Sequence, residues 1–253
     1  MENPPVTASP PPQATKAALV IGAGDATGGA IARRFAREGY IACVVRRTAD
    51  KLQPLVERIR ADGGQAHGFA SDARKEEQVA ALFAQIEAEV APIEVVVFNI
   101  GANVRFGITE TTERVYRKVW EMAALAGFLA GREAARVMRP RGRGTILFTG
   151  ATASLRGSSG FCAFAGAKHA LRALAQSMAR ELGPEGLHVA HIVIDGAIDT
   201  QFIAENFPGR YALKEREGIL DPEAIAENYW QLHCQPRSAW THELDLRPWI
   251  ETW

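Results

Sequence analysis

The amino-acid sequence predicts an α/β fold in three layers, a doubly wound parallel sheet with helices on both faces. From Lys16 onward, short runs rich in Val and Ile alternate with longer amphipathic segments. The run at 93–99 is almost wholly apolar, as expected for a strand covered on both faces. The first run ends in a glycine cluster that leads into a helix. We therefore predict a single Rossmann-type domain over residues 16–253, preceded by a disordered proline-rich tail at residues 1–15.

The elements follow in order along the chain. We predict strands at 17–21, 40–45, 65–70, 93–99, 144–149 and 187–194. Helices are predicted at 30–38, 50–61, 75–90, 112–138 and 161–182, and a further one begins at Asp221-Pro222, an N-cap followed by proline at the first helical position. Residues 198–220 break the alternation and are expected to form a variable lid, and an aromatic tail follows at 240–253. Right-handed crossovers join such strands into one parallel sheet.

Composition excludes several classes of function. The 253 residues carry a formal net charge of zero, so no global field attracts nucleic acid or an anionic membrane. No apolar run approaches the roughly 18 residues of a membrane helix. Three scattered cysteines argue against disulfides or structural zinc, and His188 and His191 face opposite sides of a strand, so we expect no metal. We expect a cytoplasmic protein that acts on a small-molecule substrate, with neither nucleic acid nor membrane as a partner.

The glycine cluster is the first candidate binding element. Gly22, Gly24 and Gly28 follow the first strand, where glycines let the backbone approach a pyrophosphate and the next helix offers free N–H groups. A plain glycine turn is the alternative. At the end of the second strand, Arg46 and Arg47 suit the 2′-phosphate of NADP, whereas a carboxylate there would favour NAD. The alternative is that both arginines only solvate a strand end.

Five motifs in register resemble the short-chain dehydrogenases/reductases. Gly22 to Gly28 stands where that family has Gly-x-x-x-Gly-x-Gly, and Ser71-Asp72-Ala73 resembles its adenine-pocket segment. Phe98-Asn99-Ile100-Gly101 is similar to its Asn-Asn-Ala-Gly motif, and Phe164 to Lys168 occupies the place of its Tyr-x-x-x-Lys. The segment from Asp195 to Thr200 resembles its Pro-Gly-x-x-x-Thr loop, so the resemblance covers residues 16 to about 200.

This resemblance implies a dinucleotide site, with NADP expected rather than NAD. Asp72 would accept from the adenine amino group, or it is a helix N-cap. Two long helices, 112–138 and 161–182, lie where family members pair, which implies a homodimer or homotetramer. The cofactor-binding residues carried over are Gly22, Gly24, Asp25, Thr27, Gly28, Arg46, Arg47, Asp72, Ala73, Asn99, Gly101, Lys168, Gly196, Ile198 and Thr200.

The sequence departs from the family at the catalytic positions. Of the family's four functional groups only Lys168 remains, because Phe164 stands for the Tyr, Ala151 for the Ser and Ala123 for the Asn. Ala26 also replaces the middle glycine of the turn. Positioned acid–base groups contribute about 10²- to 10⁴-fold in rate, so the usual mechanism is not expected.

Two other side chains are candidates for the proton chemistry. Thr152, flanked by Thr149 and Ser154, lies at the carboxyl end of the fifth strand, although such hydroxyls often only cap turns. Asp195 replaces the proline at the end of the sixth strand, where burial would raise its pKa; alternatively, backbone N–H groups of its own loop satisfy it. We predict an NADP(H)-binding oxidoreductase of carbonyls or alcohols. The alternatives are a cofactor-binding sensor or partner protein without turnover, and a non-redox lyase or isomerase.

Overall fold

The computed structural model describes residues 15–252 and contains a seven-stranded sheet. Its strand order is β3-β2-β1-β4-β5-β6-β7, and every neighbouring pair is parallel. The predicted tail lies outside the described residues, except for Thr15. The strands are β1 Ala17–Ile21, β2 Ile41–Arg46, β3 Gln65–Ala70, β4 Ile93–Phe98, β5 Gly144–Thr149, β6 Leu187–Ile194 and β7 Glu243–Leu246.

Helices cover both faces of the sheet. One face carries α1, α2 and α9, whose apolar side chains pack with one set of alternate strand residues, and the other carries α3, α5 and α6. The helices are α1 Thr27–Arg37, α2 Gln53–Ala61, α3 Glu76–Glu89, α4 Glu113–Trp120, α5 Ala126–Met138, α6 Cys162–Leu182, α7 Gln201–Asn206, α8 Pro208–Tyr211 and α9 Pro222–His233. The predicted α/β class and its three layers are confirmed.

Burial on both faces explains the apolar strands. All five residues of β1 and all eight of β6 are buried. Burying a Val, Leu or Ile side chain contributes about 1.5–3 kcal/mol, so two-sided strands stabilise the layers strongly. The chain runs outward from β1 to β3 and then outward from β4 to β7, so the order reverses between β1 and β4. Ligands bind in such sheets at this reversal, beyond the carboxyl ends of the strands.

Three elements differ from the prediction. The aromatic tail contains β7, which pairs with β6 at the sheet edge. The predicted helix 112–138 is interrupted by a π-helical turn, Glu121–Leu125, between α4 and α5. The expected lid at 198–220, for which no helix was predicted, contains α7, α8 and the 3-10 helix Ala212–Arg216. The extent of a single domain over 16–253 stays a prediction.

Candidate active site

The glycine turn brings β1, β4 and the start of α1 together. Gly22 has φ +92°, a conformation that favours glycine, and a Cβ there would lie 2.6 Å from the Asn99 carbonyl oxygen. A Cβ on Gly28 would lie 2.4 Å from the Gly22 carbonyl oxygen. The Asn99 side chain donates to that same oxygen through Nδ2, at 3.2 Å. Two of the three predicted glycines are therefore required by close backbone packing.

The third glycine faces open space. No atom lies within 4 Å of a Cβ built on Gly24, so a ligand can approach the backbone there. The helix α1 begins at Thr27 after Ala26, with no side-chain cap and no acidic residue in its first turn. Ala26 has φ −102°, so no left-handed backbone requires the glycine that the family has at this position. The turn thus leaves an uncompensated positive helix end, the arrangement that binds phosphate.

A cavity of about 260 Å³ runs along this edge of the sheet. It collects eight of the predicted cofactor residues: Gly22, Gly24, Arg46, Arg47, Asp72, Ala73, Asn99 and Gly101. The other predicted cofactor residues are absent from its lining: Asp25, Thr27, Gly28, Lys168, Gly196, Ile198 and Thr200. Sequence reasoning missed Arg74 and Met122, which also line it. Arg74 could have been found, because it is two residues beyond Asp72 in the same loop. Met122 lies in the π-helical turn, and no sequence motif indicated it.

The cationic end of the cavity is formed by arginines. Arg46 lies 3.9 Å from a carboxylate oxygen of Asp25, which is almost fully exposed, and Arg47 is exposed. Arg74 binds both oxygens of Asp72, at 2.9 Å and 2.6 Å. These hydrogen bonds lower the pKa of the Asp72 carboxyl. The suggestion that Asp72 is a helix N-cap is wrong, because α3 begins at Glu76 after Lys75.

The three altered catalytic positions meet in one apolar cluster. Ala123, Ala151 and Phe164 pack together with Ala153, Ala163 and other small apolar residues. Ala123 lies within the π-helical turn and is fully buried. The surface on which the family has hydroxyl, phenol and amide groups is therefore apolar here.

Lys168 lies behind the wall of the cavity. Its Nζ donates to the Thr149 carbonyl at 2.8 Å and to the Ile100 carbonyl at 3.2 Å, and Ile100 lines the cavity. The ring centroid of Phe164 is 5.9 Å from Nζ. Burial lowers the pKa of Lys168 to about 8, because desolvation disfavours the ammonium form.

Thr152 and Asp195 are brought into direct contact. The Thr152 hydroxyl donates to Oδ1 of Asp195, which is buried at the end of β6. Nη2 atoms of Arg156 and Arg247 each lie 3.7 Å from Oδ2 of Asp195. Oδ1 is therefore hydrogen-bonded by Thr152, whereas the buried Oδ2 has no hydrogen-bond partner among the described residues and only the charges of the two guanidinium groups near it. The alternative, in which backbone N–H groups of its own loop satisfy Asp195, did not foresee this arrangement. Neither arginine was singled out from the sequence.

The two neighbouring hydroxyls are used elsewhere. Thr149 Oγ1 shares a 2.8 Å hydrogen bond with the Tyr229 hydroxyl, on the opposite side of the strand from Lys168. Ser154 Oγ accepts from the Ala151 N–H at 3.1 Å. Thr152 is thus the hydroxyl of this group that contacts a carboxylate.

The loop after β6 and the segment that follows it contact Pro248 and Trp249, near the end of the chain. A Cβ on Gly196 would lie 2.8 Å from Cδ of Pro248, and Ile198 forms an isolated bridge with Leu220. Thr200 accepts from the Ile203 N–H at 3.2 Å and caps α7. Trp249 Nε1 donates to the Arg216 carbonyl at 3.0 Å. The structure does not bring Gly196, Ile198 and Thr200 to the cavity.

Comparisons with known proteins agree with this fold and identify the family. The family model described as short chain dehydrogenase matches residues 16–210. A crystal structure of a short-chain dehydrogenase from Rhodopseudomonas palustris is 51% identical, with 92% of this chain and 99% of that chain covered and a TM-score of 0.80. The chain therefore belongs to the short-chain dehydrogenase family, a family of oxidoreductases.

Two further relatives are more distant. The short-chain reductase protein NovJ of Streptomyces niveus is 31% identical over 188 residues, 74% of this chain and 71% of that protein. An alcohol dehydrogenase from the archaeon Thermococcus sibiricus, complexed with 5-hydroxy-NADP, is 25% identical, with 94% and 98% coverage and a TM-score of 0.83.

Within residues 15–252, no helix combines the length and apolarity needed to span a bilayer. The same residues contain no group of three or more His, Cys, Asp and Glu side chains that could hold a metal ion.

Proposed function

We propose that this protein is an NADP(H)-dependent oxidoreductase of carbonyls or alcohols. The observation that carries the proposal is the cavity in which the glycine turn, Asn99 and three arginines meet beside an uncapped helix start. When bound, the nicotinamide of the dinucleotide supplies or accepts a hydride. The residues present fit such a group, because Gly24 leaves its backbone open and Arg46 and Arg47 carry charge complementary to a phosphate.

NADP is favoured over NAD by the cationic end of the cavity. Arg74 is neutralised by Asp72, so Arg46 and Arg47 remain to hold a 2′-phosphate. The relative complexed with 5-hydroxy-NADP supports the same choice. Asp72 would then act through Arg74 rather than accept directly from an adenine.

Lys168 would orient the ribose beside the nicotinamide. Its ammonium group is held by two main-chain carbonyls, one of them on the cavity-lining Ile100. Gly28 and Thr27 would contribute to cofactor binding indirectly. Gly28 allows the close packing of the glycine turn, and Thr27 is the first residue of helix α1. Gly196, Ile198 and Thr200 would line the cofactor only after the loop that carries them moves towards the cavity.

A proton would travel through Thr152 and Asp195 in place of the missing phenol. In alcohol oxidation the Thr152 oxygen accepts the alcohol proton while its own proton passes to the Asp195 carboxylate, and reduction reverses both transfers. The two groups come from adjacent strand ends, at the edge where ligands bind in such sheets. Ala151, Ala123 and Phe164 have no proton to contribute.

The cofactor assignment is tested by titration. Fluorescence titration of the wild type should show NADPH bound at least tenfold more tightly than NADH. The variant with Arg46→Ala and Arg47→Ala should lose that preference, because charge-assisted hydrogen bonds contribute about 1.5–3 kcal/mol each. Arg180→Ala, an exposed arginine on α6, is the matched control. Uptake of neither dinucleotide would refute the proposal.

The reaction is tested by turnover. Assays with NADPH and a carbonyl panel, and with NADP⁺ and alcohols, should show activity that Thr152→Val and Asp195→Asn reduce by about 10²-fold or more. Tight NADPH binding without turnover of any panel member would instead assign a sensor or partner role.

We also propose that the chain forms a homodimer or homotetramer in the cytoplasm. Tyr116, Trp120 and Phe128 are exposed at four- and eight-residue spacing along α4 and α5, a stripe suited to a second copy. The free cysteines Cys43, Cys162 and Cys234 fit a reducing compartment. Sedimentation of the wild type and of Trp120→Glu tests the assembly, which the charge should weaken.

A further inference from the structure

We propose that the substrate carries an anionic group, carboxylate or phosphate, and that Arg156 and Arg105 bind it. The inference rests on the proposed function and deepens it, because it names a class of substrate for the same site. Its basis is two arginines near the segments that build the apolar cluster: Arg105, whose guanidinium lies over Phe161, and Arg156, which follows the cluster member Ala153 by three residues.

Arg156 is partly exposed and makes only a long contact with a carboxylate of the protein. Its side chain is 38% exposed, and its guanidinium lies 3.7 Å from Asp195, beyond hydrogen-bonding distance. In the described part of the chain, Asp195 is the carboxylate found within 4 Å of it. Arg247 faces the same carboxylate oxygen from the other side, and it also pairs with Asp245. Asp195 therefore keeps a cationic neighbour and the Thr152 hydroxyl when Arg156 turns to a ligand.

Arg105 lies on the loop between β4 and α4. The Phe106 N–H donates to the Gly160 carbonyl at 2.9 Å, which ties the loop after β4 to the loop before α6. The Arg105 guanidinium lies 5.9 Å from the ring centroid of Phe161, a residue that packs against the apolar cluster. Among residues 15–252, no carboxylate lies within 4 Å of this guanidinium.

These positions define the chemistry of a ligand. The cluster containing Ala151 and Phe164 offers an apolar contact for the body of a substrate. The guanidinium forks of Arg105 and Arg156 match carboxylate and phosphate oxygens in geometry and charge. A small aldehyde, ketone or alcohol with an apolar body and one anionic group satisfies both features.

The experiment measures binding without turnover. An aldehyde cannot be reduced in the presence of NADP⁺, so calorimetry on the protein, with and without NADP⁺, reports affinity alone. The probes are 4-carboxybenzaldehyde, 4-formylphenyl phosphate and benzaldehyde. The variants are Arg156→Gln, Arg105→Gln and their double, and Arg180→Gln is the matched control because this exposed arginine lies at the far end of α6.

The wild type and Arg180→Gln should bind at least one anionic aldehyde tenfold or more tightly than benzaldehyde. Arg156→Gln and Arg105→Gln should each reduce this preference, and the double variant should abolish it while leaving benzaldehyde affinity unchanged. Comparing the two anionic probes separates a carboxylate from a phosphate substrate. Equal affinity for all three aldehydes, or a preference that survives the double variant, would overturn the inference.

Failure of the proposed function gives a different result. If NADP⁺ is not taken up but the anionic preference and its loss in the variants persist, the arginines bind an anion and the oxidoreductase assignment fails. If NADP⁺ is taken up and no anionic preference exists, the substrate class is wrong and the cofactor assignment stands.

Discussion

The Lys168→Met variant tests whether the buried ammonium group lowers the free energy of unfolding of this protein. The wild-type ammonium group is enclosed and contacts two main-chain carbonyls, yet burial still lowers its pKa from about 10.5 to about 8. At 1.36 kcal/mol per pKa unit, this difference corresponds to about 3 kcal/mol. The residue is thus retained at a cost to stability, as expected of a group kept for function.

The cost has a defined pH window. Below pH 8 the side chain is an ammonium in both states, and the folded state bears the full penalty. Between pH 8 and about 10.5 the unfolded chain binds more protons than the folded one, so this group makes stability rise with pH. Above that range both states are neutral and the penalty is gone.

Urea unfolding of wild type and Lys168→Met from pH 7 to pH 11 checks this. The free energy of unfolding of the wild type, measured relative to the variant, should rise by about 3 kcal/mol across the window. Lys118→Met, at an exposed lysine, should run parallel to the wild type. Parallel curves for wild type and Lys168→Met would refute the reasoning, because the ammonium would then be hydrated.

Four further variants test the turn, the apolar cluster and the sheet. Gly28→Ala should destabilise the fold by more than about 2 kcal/mol in urea melts, because its Cβ meets backbone at 2.4 Å. Gly24→Ala should keep wild-type stability and weaken NADPH binding, since its Cβ enters open space; equal melting of the two variants would contradict this. Phe164→Tyr combined with Ala151→Ser should raise carbonyl reduction at least 100-fold in steady-state assays, and no change would mean that the phenol does not reach the substrate. Tyr229→Phe should cost about 1 kcal/mol in urea melts, because a buried threonine hydroxyl loses its partner; an unchanged midpoint would contradict that bond.

Elements with a strong local pattern were predictable from sequence. Continuous apolar runs predicted β1, β4 and β6, because both faces of these strands are covered. The strand β7 carries Glu243 and Asp245 and has only four residues, so no local pattern distinguishes it. Its position depends on partners far along the chain, such as Arg172, which binds both oxygens of Glu243 at 2.6 Å.

The candidate site was predictable to a similar degree. Glycines and strand-end arginines carry positional meaning, and the cavity collects most of them. The contact between Thr152 and Asp195 could not be predicted from either residue alone. Both lie just beyond the ends of strands, β5 and β6, that are neighbours in the sheet. Arg156 and Arg247 could not be chosen among the many arginines, because only tertiary structure brings them to one carboxylate.

The contacts of Pro248 and Trp249 link the segment after β6 to the surroundings of Asp195. Pro248 packs against Gly196, just before residues 198–220, and Trp249 donates to the carbonyl of Arg216 within them, so both contacts join this stretch to one short segment. Arg247, the residue before them, faces the buried Asp195. We therefore expect a displacement of residues 198–220 to shift Arg247 and change the surroundings of Asp195, which would couple dinucleotide access to the proposed proton route.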